Sequence, residues 1–269
     1  MLEEIKTNKT LNLIENRKTI RAYSKKELTQ VEINTILRGA MRAPTAGNMM
    51  LYSILQVSDQ KIKDRLVKTC DNQPHIAMAP LVLIFLADMQ RWWDYFSICK
   101  VPELCVELSM NFQTPQESDL LLACCDALIA AQNAVISAEA LGIGSCYIGD
   151  IMENYEIHRE MFNLPKWVFP IAMVCFGYPK GSKDKIPLTS RYPKRFIHFQ
   201  NKYKRLNERE LSEMFQHDNR KIVEKRAKNL GQDVYLRKTG ADFSIEMRRS
   251  VKAALKVWLS ENNNSGKKE

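Results

Sequence analysis

The apolar stretch from Leu120 to Leu141 restricts the fold of this chain more than any other feature. It is long enough to cross a bilayer, which takes about 20 residues. Asp126, Gln132, Asn133 and Glu139 interrupt it, however, and a membrane span is almost free of such groups. The stretch therefore reads as a buried helix over Asp119–Leu141, with Asp119 or Ser118 as N-cap and Gly142 as C-cap. It is rich in alanine, and small side chains let helices approach closely. We expect it to serve both as the spine of the core and as part of a dimer interface.

Other elements follow from periodicity. Leu28–Met41 reads as an amphipathic helix, with Val31, Ile33, Ile36, Leu37, Ala40 and Met41 inward and Pro44 ending it. Leu51–Val57 is a strand and Gln60–Cys70 a short helix. Leu81–Ala87, continuously apolar after Pro80, suits a strand covered on both faces. Asp88–Glu117 is a helical excursion or lid. Ser145–Ile148 and Phe169–Phe176 are strands, with a helix over Tyr155–Asn163 capped by Asn154. Residues 180–200 form a loop, and from Lys204 onward the chain reads as helical and charged. Its last helix starts near Asp242, with Met247, Val251, Leu255 and Trp258 on one stripe and Arg248, Arg249, Lys252 and Lys256 opposite. Asn262–Glu269 reads as a disordered end. Four strands among more numerous helices imply an α+β fold. Gly142-Ile143-Gly144 ends a helix rather than opening one, which excludes a dinucleotide-binding βαβ unit.

The 269 residues are 45% hydrophobic, enough for a sizeable core. Met1–Lys6 holds no apolar run of a secretory signal. The seven cysteines form no CxxC pair and read as reduced, buried thiols of a cytoplasmic protein. His75, His158, His198 and His217 lack ligand spacing, so no metal site is expected. Net charge is +9, with +12 carried by residues 180–269 and −3 by residues 1–179. Such asymmetry suits anionic small molecules or a nucleic acid. The basic part lacks dense cationic blocks with interleaved aromatics, so a nucleic-acid partner is not expected. That reading would require binding to mixed DNA that weakens steeply with salt.

Two early blocks carry recognisable chemistry. Arg17-Lys18-Thr19-Ile20-Arg21 places three cations and a hydroxyl within five residues, which suits a phosphate. Ala43-Pro44-Thr45-Ala46-Gly47-Asn48 is a bend ending in an amide that can both donate and accept, as the edge of a flat heteroaromatic ring requires. Two further blocks follow: Leu141-Gly142-Ile143-Gly144-Ser145-Cys146-Tyr147-Ile148-Gly149, and Phe176-Gly177-Tyr178-Pro179 with Ser190-Arg191-Tyr192-Pro193 after a loop. In order and spacing, these blocks over residues 11–203 resemble the FMN-dependent nitroreductase / flavin reductase family, and its larger branch with a C-terminal helical extension.

The resemblance implies a mixed sheet flanked by helices, an FMN-binding domain over 1–203 and a basic helical extension over 204–269. It implies a homodimer with FMN at the interface. NADPH or NADH would reduce the flavin, and nitroaromatics, quinones or free flavin would be reduced in turn, by a ping-pong hydride transfer with no protein acid or base. By position, Arg17, Lys18, Thr19 and Arg21 would hold the phosphate and ribityl chain, with Arg191 reaching the phosphate. Pro44, Thr45, Ala46 and Asn48 would form the ring loop, Gln73 would lie near the ring, and Tyr147, Ile148, Gly149 and Asp150 would back it with their main chain. Three positions depart from the family: Met50 stands for Gln, Asp150 for a second Gly, and Thr189 for a Lys that Lys185 or Lys194 would replace. These departures leave open an FMN-binding sensor or flavin carrier with little turnover.

Overall fold

The computed structural model describes residues 8–216, 218 and 220–260. The Met1–Lys6 segment, His217 and the Asn262–Glu269 end, all read above from sequence, lie outside the described residues. The chain separates into two compact units. One runs through Ser182 and resumes at Glu246; the other is Lys183–Ile245. The boundary drawn from sequence at 203/204 falls inside the second unit.

In the first unit, helices α1 (Lys9–Asn16) and α2 (Gln30–Met41) precede strand β1 (Tyr52–Val57). Helices α3 (Gln60–Thr69) and α4 (His75–Met78) lead to β2 (Leu81–Asp88). The excursion is a helix pair, α5 (Gln90–Ile98) and α6 (Val101–Glu107). Then come α7 (Glu117–Ala140), β3 (Gly144–Ile148), α8 (Tyr155–Met161) and β4 (Val168–Gly177). The second unit holds α9 (Glu208–Gln216) and α10 (Leu230–Val234), and α11 (Asp242–Leu259) leads back into the first.

The four strands form one sheet in the order β1-β2-β4-β3, antiparallel throughout. This corrects the expected mixed sheet. Among the described residues, the parallel component is a single bridge between Thr19 and Ser145 at the β3 edge. All eight residues of β2 are buried. One of its faces, with Leu81, Leu83 and Phe85, packs on Ile36 and Ala40 of α2 and Ala127, Ala130, Ala131 and Ala134 of α7. The other, with Val82 and Ile84, packs on Leu66, Ile76, Ile148 and Cys175. Cover on both faces is why this strand reads as an unbroken apolar run.

Alanines on α7 let α2 come close. A Cβ at Gly39 would lie 1.9 Å from Ser137 Oγ. Among the described residues, α7 is the one helix long and apolar enough to cross a membrane, and its alanine face is fully buried in the core. Its start differs from the expectation. Gln116 is the N-cap, and Asp119 is the third helical residue, accepting from Gln116 N at 2.8 Å in a capping box. Gly142, with φ of 74°, follows the cap residue Leu141 and lets the chain turn into β3.

Other expectations also need revision. Val31 and Met41 are exposed, since α2 starts at Gln30 behind a Thr29–Glu32 capping box and turns that edge outward. Asn154 does not cap α8 through its side chain, because it is left-handed (φ 50°) and donates instead to Thr69 O at 2.9 Å. Only Cys70, Cys146 and Cys175 are buried; Cys99 and Cys125 are exposed. The chain after Lys204 is not continuously helical. Between α9 and α10 the main chain bonds to a carboxylate instead, Asp233 Oδ1 accepting from Val223 N at 2.8 Å and Glu224 N at 2.7 Å.

Candidate flavin site

The Arg17–Arg21 block leaves the end of α1 and runs along the outer edge of β3. Ile20 N donates to Ser145 O at 2.9 Å beside the Thr19–Ser145 bridge. A glycine makes this approach possible: a Cβ at Gly144 would sit 2.3 Å from Ile20 Cγ1. With Ile20 buried as an anchor, the two arginines lie on either side of it. Arg17 acts on the Tyr147 phenol, which burial nonetheless pushes up to about 12. Arg21 reaches the Cys146 thiol and acts on the His75 imidazole, whose pKa is lowered first by burial and then by that charge. Neither guanidinium has a carboxylate partner among the described residues. Lys18 lies between them, and Arg21 is exposed.

The Pro44–Asn48 loop is set by a residue not counted among the candidates. Asp126 of α7 is 3% exposed and receives three donors: Thr45 Oγ1, Ala46 N at 3.1 Å and Leu51 N at 3.1 Å. Thr45 Oγ1 in turn accepts from Met50 N at 2.8 Å. Between these anchors Gly47, Asn48 and Met50 take left-handed φ values of 54°, 57° and 51°. Pro44 and the Asn48 side chain are exposed, so the amide faces outward as a ring edge would need. The signal for Asp126 was in the sequence, as a carboxylate in the middle of an apolar helix.

The same helix reaches the third block. Tyr147 OH donates to Gln132 Oε1 at 3.4 Å, six residues beyond Asp126 and so about 9 Å along the helix. Tyr147 as a whole is 39% exposed on the sheet, although its phenol is partly covered. Ile148 is not: its side chain is buried with Ile151 and Met173, so only its main chain faces the site. Gly149 stands in open space, where a Cβ would meet nothing within 4 Å. Asp150 Oδ2 accepts from Gln73 Nε2 at 2.7 Å, which joins those two candidates. Arg191 belongs to the second unit, where its guanidinium donates to Thr189 Oγ1 at 2.9 Å and Ser190 O at 3.1 Å. The threonine standing in place of lysine thus orients the arginine.

Two buried polar atoms beside the block lack partners, Ser145 Oγ and His75 Nε2. Two arginines with no carboxylate partner among the described residues, an open glycine, an outward amide and unpartnered buried polar atoms together fit a phosphorylated planar ligand such as FMN. The nitroreductase family profile matches residues 14–178, a span holding every block except that of Arg191.

The chain belongs to the nitroreductase family.

Among relatives, the FMN reductase (NADPH) of Bacillus subtilis is 32% identical over 73% of this chain and 75% of its own. The oxygen-insensitive NADPH nitroreductase of Salmonella typhimurium is 30% identical over 76% and 78%. The solved nitroreductase NfrA1 of B. subtilis superposes with a TM-score of 0.74 at 25% identity, covering 91% of this chain and 98% of that one. This nitroreductase-family chain thus shares the fold through most of its length.

Proposed function

We propose that this protein is an FMN-dependent NAD(P)H oxidoreductase that reduces electron-poor acceptors, namely nitroaromatics, quinones or flavins. The pairing of Thr19 with Ser145 carries the reading, because it lays two arginines without carboxylate partners among the described residues along the strand that leads to Gly149 and Asp150. Bound FMN would supply the redox step, taking a hydride from NAD(P)H and passing reducing equivalents to the acceptor.

The chain's own residues bind and orient. Arg17, Lys18, Thr19 and Arg21 hold the phosphate and ribityl chain, and Arg191 adds a cation for the phosphate. Asn48 meets the pyrimidine edge on the loop that Asp126 fixes, with Pro44, Thr45 and Ala46 shaping it. Gln73 lies near the ring. The main chain of Tyr147–Asp150 backs the ring and offers N–H groups. No protein acid or base is needed for the hydride itself. The protein is a cytoplasmic homodimer in this reading, with the exposed α7 residues Leu121, Leu122, Leu128 and Ile129 covered by a second copy.

Purified protein should be yellow and should oxidise NADPH or NADH with a nitroaromatic or quinone present. Protein that stays colourless and takes up no added FMN refutes the reading.

A further inference from the structure

Helix α3 holds a charge on the face it turns to the core. Lys63, Leu66 and Thr69 are its buried residues, at helical spacing, so Lys63 occupies a place that a leucine or methionine would fill in a helix shaped for packing alone. It is 7% exposed. Its Nζ donates to Ala79 O at 2.9 Å, and Ala79 is itself buried. An ammonium has three donors, and no carboxylate among the described residues pairs with this one. A buried charge without a counter-charge is costly, and the fold keeps it.

Lys63 lines a cavity of about 740 Å³ that Lys25 and Lys180 share. An antiparallel bridge between Tyr23 and Pro179 brings the last two to the same rim: Ser24 N donates to Tyr178 O at 2.8 Å, and Lys180 N to Ala22 O at 2.9 Å. Both lysines are exposed, and neither has a carboxylate partner among the described residues. Glu27 is the one carboxylate among the described residues that line the cavity. Asp59 and Asp64, the neighbours of Lys63 in sequence, are engaged elsewhere, accepting from Lys61 N at 2.7 Å and from Gln60 Nε2 at 2.9 Å. The wall thus carries three formal positive charges against one negative. Met78 and Pro80 give it an apolar side, with Met78 exposed. None of the lining residues belongs to the arginine block or the ring loop.

We propose that this cavity is a second anion site, separate from the flavin face, that takes an organic phosphate monoester: its dianionic head meets Lys63 inside and Lys25 and Lys180 at the rim, and its apolar body covers Met78 and Pro80. A dianion matches the two excess positive charges, whereas a carboxylate leaves one of them uncompensated. Lysines serve a phosphate as point charges, and the head group offers acceptors to the two Lys63 donors that Ala79 O does not use. The charge on α3 then has a counter-charge whenever the ligand is bound. No bond is made or broken. The site stands whether or not the arginine block holds FMN.

Calorimetric titration with phenyl phosphate at low ionic strength, with excess FMN present to occupy the arginine block, tests the site. The parent should bind phenyl phosphate saturably, and added salt should weaken the binding. Lys63→Met removes the charge at similar volume and should weaken it roughly 10- to 150-fold, the range for a charge-assisted bond. The exposed pair changed together, Lys25→Gln with Lys180→Gln, leaves the core untouched and should weaken it about 2- to 10-fold. Benzoate, a monoanion, and inorganic phosphate, which has no ring to cover Met78 and Pro80, should each bind about tenfold more weakly than phenyl phosphate. Phenyl phosphate should also raise the melting temperature of the parent and leave that of Lys63→Met unchanged. A parent that binds no phenyl phosphate overturns the proposal, as does parent-like affinity in both lysine variants. An Arg21→Ala protein that loses as much affinity as Lys63→Met overturns it too, by assigning the binding to the arginine block. Benzoate or inorganic phosphate bound as tightly as phenyl phosphate refutes the ligand class.

Discussion

Replacing Asp126 should loosen the ring loop and weaken FMN binding together. The carboxylate is the acceptor for Thr45 Oγ1, Ala46 N and Leu51 N, and Leu51 is 1% exposed. In Asp126→Ala the Leu51 N–H loses its partner where water does not reach, and a buried unsatisfied donor costs about 1–3 kcal/mol. Ala46 N and the Thr45 hydroxyl are only part-buried and can turn to water, so each adds less. A total of about 2–4 kcal/mol follows from the one buried and two part-buried donors left without their acceptor. Asp126→Asn keeps one acceptor but turns an NH₂ toward a donor, so about 1–3 kcal/mol is expected. Urea unfolding of the apo-protein reads these losses. A double-mutant cycle with Thr45→Val isolates the Thr45 pair, with a coupling of about 0.5–3 kcal/mol. FMN titration should show weaker binding in both Asp126 variants. Stability within about 0.5 kcal/mol of the parent, with FMN affinity unchanged, would refute the clamp.

Three further outcomes are expected. Arg21→Ala should weaken FMN binding roughly 5- to 30-fold by fluorescence quenching; this is the lower part of the range for charge-assisted bonds, because Arg21 is exposed. Lys194→Ala should change affinity less, and equal effects would detach the N-terminal block from the phosphate. Gly144→Ala should cost about 1–3 kcal/mol, since its Cβ collides with Ile20, and should also lower FMN affinity; an unperturbed variant would contradict the close approach. The His158 pKa is lowered by burial, so the unfolded chain binds the proton more readily. Stability should therefore hold above about pH 6.5 and fall as pH drops below it, by up to about 1.4 kcal/mol per pH unit. His158→Gln should remove that part of the slope in unfolding titrations.

What the sequence revealed was local. The alanine-rich helix and the unbroken β2 run each depend on neighbours a few residues apart, and both form where they were read, apart from the start of the helix. Features built from distant residues were hidden. Asp126 registered as an interruption of an apolar helix, because its donors at Thr45, Ala46 and Leu51 lie some eighty residues upstream. Ser118 and Asp119 looked like N-caps by type, but Gln116 answers Asp119 reciprocally and moves the start. Asn154 likewise has a capping side chain that Thr69 draws away. Glu153 gave no sign that its carboxyl is raised, because the burial that chiefly raises it is a product of the fold, and Asp71 and Glu246 come to it from other elements.

The Thr19–Ser145 bridge has a consequence for how the protein comes into being. Its two ends are far apart in the chain, so closing them carries a loop-entropy cost that local helices do not face. On the ribosome, the arginine cradle cannot form until β3 has emerged, long after the arginines themselves were made. The sheet's central ladder does not include the bridge, so the arm can peel from the edge while β2 and β4 stay paired. Amide exchange at Ile20 should then be faster than at Ile84, and should slow when FMN binds. Cofactor release would be a local opening of the N-terminal arm, separable from melting of the core.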